Sequence, residues 1–265
     1  MINRTEIGEV NISYATVHEY NCLRDELPEL TPIGTDLKDF QRPWVVKKLL
    51  QSYGSGRILE IGANRCELAE YLRKKGFEVW VVDVYDNFGG GTATFEEVKG
   101  RFPKLNIHQG FFHENKLLPK NFFDCIYSCS VLEHAPVEFI KPTIERIFDC
   151  LKTGGISIHA VDFTVEISIM PTHPLMNEIL RCHHSNVSAE QIREEALADR
   201  DTFYLSPQGH YGWRRFLEKS YDEYPYRRVT SLNIVAKKCA SSKYSSRHPR
   251  QPQLPSNRCS FGEES

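Results

Sequence analysis

The chain predicts a doubly wound α/β domain built on a mostly parallel sheet. Three observations predict it. Short apolar runs recur between residues 57 and 163 as "RILEIG", "EVWVVDV", "LNIHQGF", "FFDCIYSCS" and "ISIHAVDF". Segments of helical character separate most of them. The first run passes through a glycine turn straight into a helix, in "RILEIGANRCELAEYL" from Arg57 to Leu72. Continuous apolar strands alternating with helices are stable when helices cover both faces of the sheet. Crossovers are then right-handed, and ligands bind beyond the C-terminal ends of the strands.

Each element follows in order. "DFQRPWVVKKLLQSYG" reads as a helix, with Pro43 suited to the first turn and Gly54 as the stop. "RILEIG" is the first predicted strand, and "CELAEYLRKKG" is a helix closed by Gly76. "EVWVVDV", residues 78–84, is the second strand. The loop "YDNFGGGTATFEE" follows, and Thr94 with Glu97 makes a capping box for a short helix. "LNIHQGF" and "FFDCIYSCS" are the third and fourth strands. Ile140, Ile144, Ile147, Phe148 and Leu151 share one helical face, and that helix is expected to end at Gly154-Gly155. "ISIHAVDF" is the fifth strand, and "YRRVTSLNIVAKK" returns to strand character near the end.

The flanks are less regular. Residues 1–38 are mixed and polar and read as an N-terminal cap segment; 39–238 form the main domain. Within it, 164–212 breaks the alternation and reads as a lid or substrate insert with one polar helix, "SAEQIREEALADR". Residues 239–265 are rich in Ser, Pro, Arg and Gln and read as a disordered tail. A hydrophobic fraction of 40% suits one sizeable core, and a net charge of −2 gives no reason to invoke nucleic acid or an anionic membrane. Eight cysteines without a paired framework, no apolar leader and no membrane-length run point to a cytoplasmic setting. In "RCHHS", Cys182, His183 and His184 are adjacent and their side chains point apart, so no metal is assigned and the stretch reads as solvated. "GGG" at 89–91 lacks the Lys-Ser/Thr of a phosphate loop. "GWRRFLEK" with "YPYRRV" is basic and aromatic, able to meet RNA or an acidic substrate, but reads as a helix packed on the sheet.

Four landmarks, "LEIGANRCELAEYL", "VWVVDVYD", "FFDCIYSCSVLEHA" and "CLKTGGISIHAVDF", together resemble the class I S-adenosylmethionine-dependent methyltransferases in order and spacing. The likeness covers roughly residues 40–163, and "SLNIVAKK" resembles the family's last strand, which inserts antiparallel. The resemblance implies a seven-stranded, Rossmann-like sheet and S-adenosylmethionine as cofactor. It implies methyl transfer to an oxygen or nitrogen of a small-molecule acceptor. Glu60 would meet the ammonium of the methionine part, directly or through water, Gly62 would let the backbone approach, and Asp83 would accept both ribose hydroxyls. The cofactor has no pyrophosphate, so the need for three glycines relaxes. Asn64 tolerates left-handed backbone, and Cys66 is small enough to stand for another glycine. Where relatives carry an acidic residue for adenine, this chain has Phe111 or Phe112, an aromatic able to stack, with Gln109 and His113 as polar substitutes. Ser128 and Ser130 would line the cofactor pocket. His134 is a candidate general base and Asp162, at the end of the fifth strand, the next; His159 reads as a core histidine. Two alternatives stand at this point: a non-catalytic binding protein of the same fold, and a nicotinamide-dependent enzyme.

Overall fold

A computed structural model of the chain describes residues 7–31, 36–85, 91–166 and 173–240. Seven strands form one sheet. They are β1 (Ile7–Tyr14), β2 (Arg57–Ile61), β3 (Glu78–Asp83), β4 (Asn106–Gln109), β5 (Phe123–Cys129), β6 (Leu151–Thr164) and β7 (Val229–Lys238). The order across the sheet is β1-β7-β6-β5-β2-β3-β4. The neighbours from β4 to β6 pair in parallel, and β7 is antiparallel to both β6 and β1. The five strands predicted from the sequence between residues 57 and 163 are thus β2 to β6, with β4 at the sheet edge, and the antiparallel last strand is β7. The N-terminal segment, expected as a cap, instead supplies the edge strand β1 and helix α1 (Val17–Glu26).

Side chains alternate along each strand and build two cores. On one face Ile58, Val79, Val81, Cys125, Tyr127 and Ile158 pack under α1, α2 (Lys38–Ser52), α3 (Glu67–Lys74) and α4 (Phe95–Arg101). On the other, Leu59, Ile61, Val82, Ile126 and Val161 meet α5 (Val137–Cys150), α6 (His173–Cys182) and α7 (Ala189–Ala198). Ile140, Ile144, Ile147 and Phe148 of α5 are buried, as their spacing demands. Each fully buried aliphatic or aromatic side chain contributes about 1.5–3 kcal/mol.

Several boundaries differ from expectation for local reasons. Pro43 lies in the second turn of α2, because that helix begins at Lys38. Helix α5 ends at Cys150, and Leu151 opens β6, where it pairs with Phe123. The two glycines are not a helix stop. They form an irregularity in the β5–β6 register, with Gly154 at φ +83 and a Cβ on Gly155 placed 2.9 Å from the Lys152 carbonyl. Thr94 caps α4 by accepting the Glu97 N–H.

The segment 164–212 does not behave as one lid. Met176, Ile179, Ala189 and Ala196 of α6 and α7 are fully buried against α5 and the sheet, so these helices belong to the core. Helix α7 carries a complete capping box between Ser188 and Gln191. Helix α8 (Pro207–Phe216) is the least embedded of these, with His210 its one buried residue; it reaches the sheet through Trp213, which packs on Val229 of β7, while Tyr211 and Phe216 are exposed. Among the described residues no helix is long and apolar enough to cross a membrane, and no group of three or more His, Cys, Asp or Glu is arranged to hold a metal. The seven cysteines described are free thiols. The tail from residue 241 and most of "GGG" lie outside the described residues.

Candidate functional site

The strand order reverses between β2 and β5, and a cavity of about 680 Å³ opens at their C-terminal ends. Gly62 leaves β2 at φ +71, and its N–H donates to the Val82 carbonyl at 2.8 Å. A Cβ there would lie 2.5 Å from Cγ2 of Val131, which follows β5. Glycine is therefore required on two counts, conformation and space. Asn64 and Cys66 also occupy left-handed backbone, at φ 45 and φ 57, so both stand where glycine would be the easy choice. Asn64 compensates with its side chain, whose Oδ1 accepts the N–H groups of Thr92 (3.2 Å) and Ala93 (3.1 Å). Cys66 is buried with Sγ 3.3 Å from the Tyr85 hydroxyl, and burial pushes its thiol up to about 12, which makes it a packing group.

Asp83 ties the loops together. One carboxylate oxygen accepts the Asn64 N–H at 2.7 Å and the other the Tyr85 N–H at 3.1 Å. Each oxygen keeps acceptor capacity, and Asp83 lines the cavity. Phe111, Phe112 and His113 line it beyond β4, with Phe111 edge-on to Phe139 at 5.4 Å. Ser130, Val131 and His134 line it beyond β5. His134 is exposed on the solvent side; desolvation against the wall lowers its pKa, opposed by the Asp162 carboxylate.

Three of the expected site residues sit elsewhere. Glu60 points into the α2–α3 core, where Oε2 accepts the Tyr127 hydroxyl at 3.0 Å; burial raises its pKa to about 7, and it does not line the cavity. Ser128 is fully buried and bonds His159 Nδ1 at 2.8 Å. Asp162 stands behind Ser130: its Oδ1 accepts from Gln41 Nε2 (2.8 Å) and Ser130 Oγ (2.9 Å). Its backbone N–H donates to Glu133, whose carboxyl is held well above the ordinary range by burial and by the Asp162 charge. His159 is a core histidine as expected, but its neighbour His183 is fully buried too, not solvated, with the rings 5.5 Å apart.

The sequence reading missed α2 as a wall. Lys38 and Arg42 line the cavity beside the glycine loop, as does Arg65 within it. Gln41, on the same helix, is fully buried with both amide groups bonded. A buried glutamine in "DFQRPW" leaves no pattern in a single sequence. Trp213 and Phe216 of α8 also line the cavity; they lay in the basic-aromatic stretch that had been given to packing.

A family profile described as "Methyltransferase domain" matches residues 36–200, more than half of the chain. The chain belongs to this methyltransferase family. Over 135 residues it is 31% identical to a protein named as a methyltransferase in Geobacillus sp. (strain WCH70), covering 49% of this chain and 52% of that one. A second match, 24% identical over 121 residues, covers 45% of this chain and 2% of a protein named as a non-ribosomal peptide synthetase in Salinispora arenicola. The chain thus spans about half, or far less, of the curated relatives it matches. Among solved structures, the 1,6-didemethyltoxoflavin-N1-methyltransferase of Burkholderia thailandensis is 18% identical over 91% of this chain and 98% of that one, with a TM-score of 0.49. The family's cofactor is S-adenosylmethionine. The cavity suits it on one structural point above others: the Gly62 cradle leaves space that any Cβ would fill, beside a carboxylate with free lone pairs.

Proposed function

We propose that the protein transfers a methyl group from S-adenosylmethionine to an oxygen or nitrogen of a small-molecule acceptor. The observation that supports this reading is the convergence of Gly62, Asp83, Ser130 and His134 on one cavity at the strand-order reversal. Asp83 would accept the ribose hydroxyls while its other lone pairs hold the Asn64 and Tyr85 N–H groups. Phe111 would stack on the adenine. Arg42, a cavity-lining cation, would partner the carboxylate of the methionine part, a different group from the ammonium that the sequence reading gave to Glu60.

The bound cofactor supplies a methyl group already activated on a sulfonium, so the chain's task is alignment and exclusion of water. An acceptor hydroxyl must also lose its proton. His134, in its neutral form, takes that proton on a ring nitrogen. Asp162, off the cavity wall, acts in this reading as a positioning residue: its Oδ1 accepts from Gln41 and from Ser130, and so fixes Ser130 at the wall.

Calorimetry with S-adenosylhomocysteine, followed by a radiolabelled methyl-transfer screen of small hydroxyl and amine compounds, tests the reading. At a ligand concentration a hundred times its Kd, binding adds about 2.7 kcal/mol to stability. A folded sample that neither binds nor gains thermal stability at millimolar ligand refutes it.

A further inference from the structure

Helix α8 meets the cavity through Gly209, Gly212, Trp213 and Phe216. Their spacing is i, i+3, i+4, i+7, a single stripe of an α-helix. A stripe facing a filled interior carries bulky side chains. This one carries two hydrogens, followed by two large rings. Folding does not demand the glycine at 212. It lies within a helix, outside the residues with positive φ, and a Cβ built there meets nothing within 4 Å. Glycine in a helix interior lowers helix stability, so its presence fits a need for space.

The Trp213 ring beside that space is held in place. The Trp213 indole N–H donates to Asp36 Oδ1 at 3.1 Å, and the ring packs on Leu37, Leu205 and Val229. Phe216 stands edge-on to it at 6.2 Å. The Lys38 ammonium lies 5.4 Å from the Trp213 ring centre and also lines the cavity. Among the described residues Lys38 makes no ion pair within 4 Å, and Oδ1 of the nearby Asp36 accepts the indole N–H and the Lys38 backbone N–H. A flat floor, an aromatic wall and a cation without a close ion-pair partner at its edge make a slot for a thin, ring-shaped anion.

We infer that the methyl acceptor is a planar aromatic molecule bearing an anionic group, its ring lying over Gly209 and Gly212 against Trp213 and its anion at Lys38. This rests on the methyl-transfer reading above. It adds a substrate class, and it makes Gly212 and Lys38 specificity-determining positions.

The test uses the full chain and separates the two readings. S-adenosylhomocysteine is titrated first. Three probes are then titrated at saturating S-adenosylhomocysteine: 4-hydroxybenzoate, 4-hydroxybenzamide, which removes the charge, and 4-hydroxycyclohexanecarboxylate, which removes the planarity. 4-Hydroxybenzoate is expected to bind about tenfold or more tightly than either control, the usual worth of one matched contact. Gly212→Leu should weaken it by about tenfold or more and leave S-adenosylhomocysteine affinity unchanged; Gly212→Ala should fall between. Lys38→Gln should abolish the preference for acid over amide and keep the preference for the flat ring. A protein that binds S-adenosylhomocysteine but takes none of the probes, or treats them alike, overturns the inference alone. So does a Gly212→Leu variant with wild-type probe affinity. Failure to bind S-adenosylhomocysteine overturns the cofactor reading, and the acceptor class falls with it.

Discussion

Replacing Gly62 by alanine tests the seam between β2 and β5. The substitution adds one methyl group at φ +71 and drives it to 2.5 Å from Cγ2 and 2.8 Å from Cγ1 of Val131. A left-handed L-residue costs about 1–2 kcal/mol. Forcing a methyl group into a filled space costs about 1–3 kcal/mol more. The sum, about 2–5 kcal/mol, corresponds to a fall in Tm of roughly 5–15 °C for a chain of this size. The two parts separate in a four-protein cycle with Val131→Ala. That change removes both clashing atoms and leaves the backbone cost, so the double variant should recover about 1–3 kcal/mol relative to additivity. Urea unfolding of the wild type, both single variants and the double variant measures this directly. Calorimetry on the same four proteins reports S-adenosylhomocysteine affinity, which should fall in Gly62→Ala and return in part with Val131→Ala. If Gly62→Ala is as stable as the wild type, the close approach of the two loops is not tight. If it is destabilised but Val131→Ala restores nothing, backbone conformation is the whole effect.

Other outcomes follow from the same geometry. Asp83→Ala frees the Asn64 and Tyr85 N–H groups, so it should weaken S-adenosylhomocysteine by about 2–4 kcal/mol and lower stability in urea unfolding as well. His134→Gln should lower turnover about a hundredfold with cofactor affinity kept. In the wild type, turnover should fall as the pH drops through a value below the usual imidazole range, because only the neutral ring accepts a proton. His183 is buried with its pKa lowered to about 4, so between there and the unfolded value of about 6.5 only the unfolded chain is protonated. Its contribution is present near neutral pH and is lost as pH falls, by up to about 3 kcal/mol at pH 4. Glu60, raised to about 7, works in the opposite sense and loses stability as pH rises from 4.5 through 7. Denaturant unfolding of His183→Asn against the wild type at pH 5 and 7.5 isolates the first effect: the variant's loss on acidification should be smaller. Gly212→Ala should raise stability by about 0.5–1 kcal/mol in the same assay, since the helix gains and nothing clashes.

Local chemistry explains which features the sequence disclosed. The strands β2, β3, β5 and β6 announce themselves because both faces are covered and the apolar runs are nearly continuous; β4, at the sheet edge with no buried residue, was legible only from its place in the alternation. Strand β1 is exposed along much of its length, and its partner lies at the other end of the chain, so "IGEVNISY" carries no comparable pattern. Gly62 and Asp83 were legible because they close strands, where backbone approach and a carboxylate have evident uses. Ser128 and Ser130 looked equivalent, but Ser130 sits at φ 51, past the strand end, and the chain turns it toward the cavity while Ser128 stays in the core. Glu60 lies off the cavity wall for the related reason that alternation in β2 puts it on the Ile58 face, toward Tyr127. The walls from α2 and α8 depend on how helices lean over the sheet, and no local pattern in the sequence records that.

The pairing of β1 with β7 has a consequence for how the protein is made. Val10 lies opposite Ala236, and Tyr14 opposite Leu232. At a translation rate of about 5–20 residues per second, β1 leaves the ribosome on the order of ten seconds or more before its partner exists. During that interval β1 can pair only with something foreign, or wait unpaired. The strand β7 must then enter between β1 and β6, satisfying both edges in one closing event. Contacts of such sequence separation form late and slowly. The last-made strand therefore seals the sheet, and nascent chains stalled before residue 229 should present the β6 edge to chaperones or to one another.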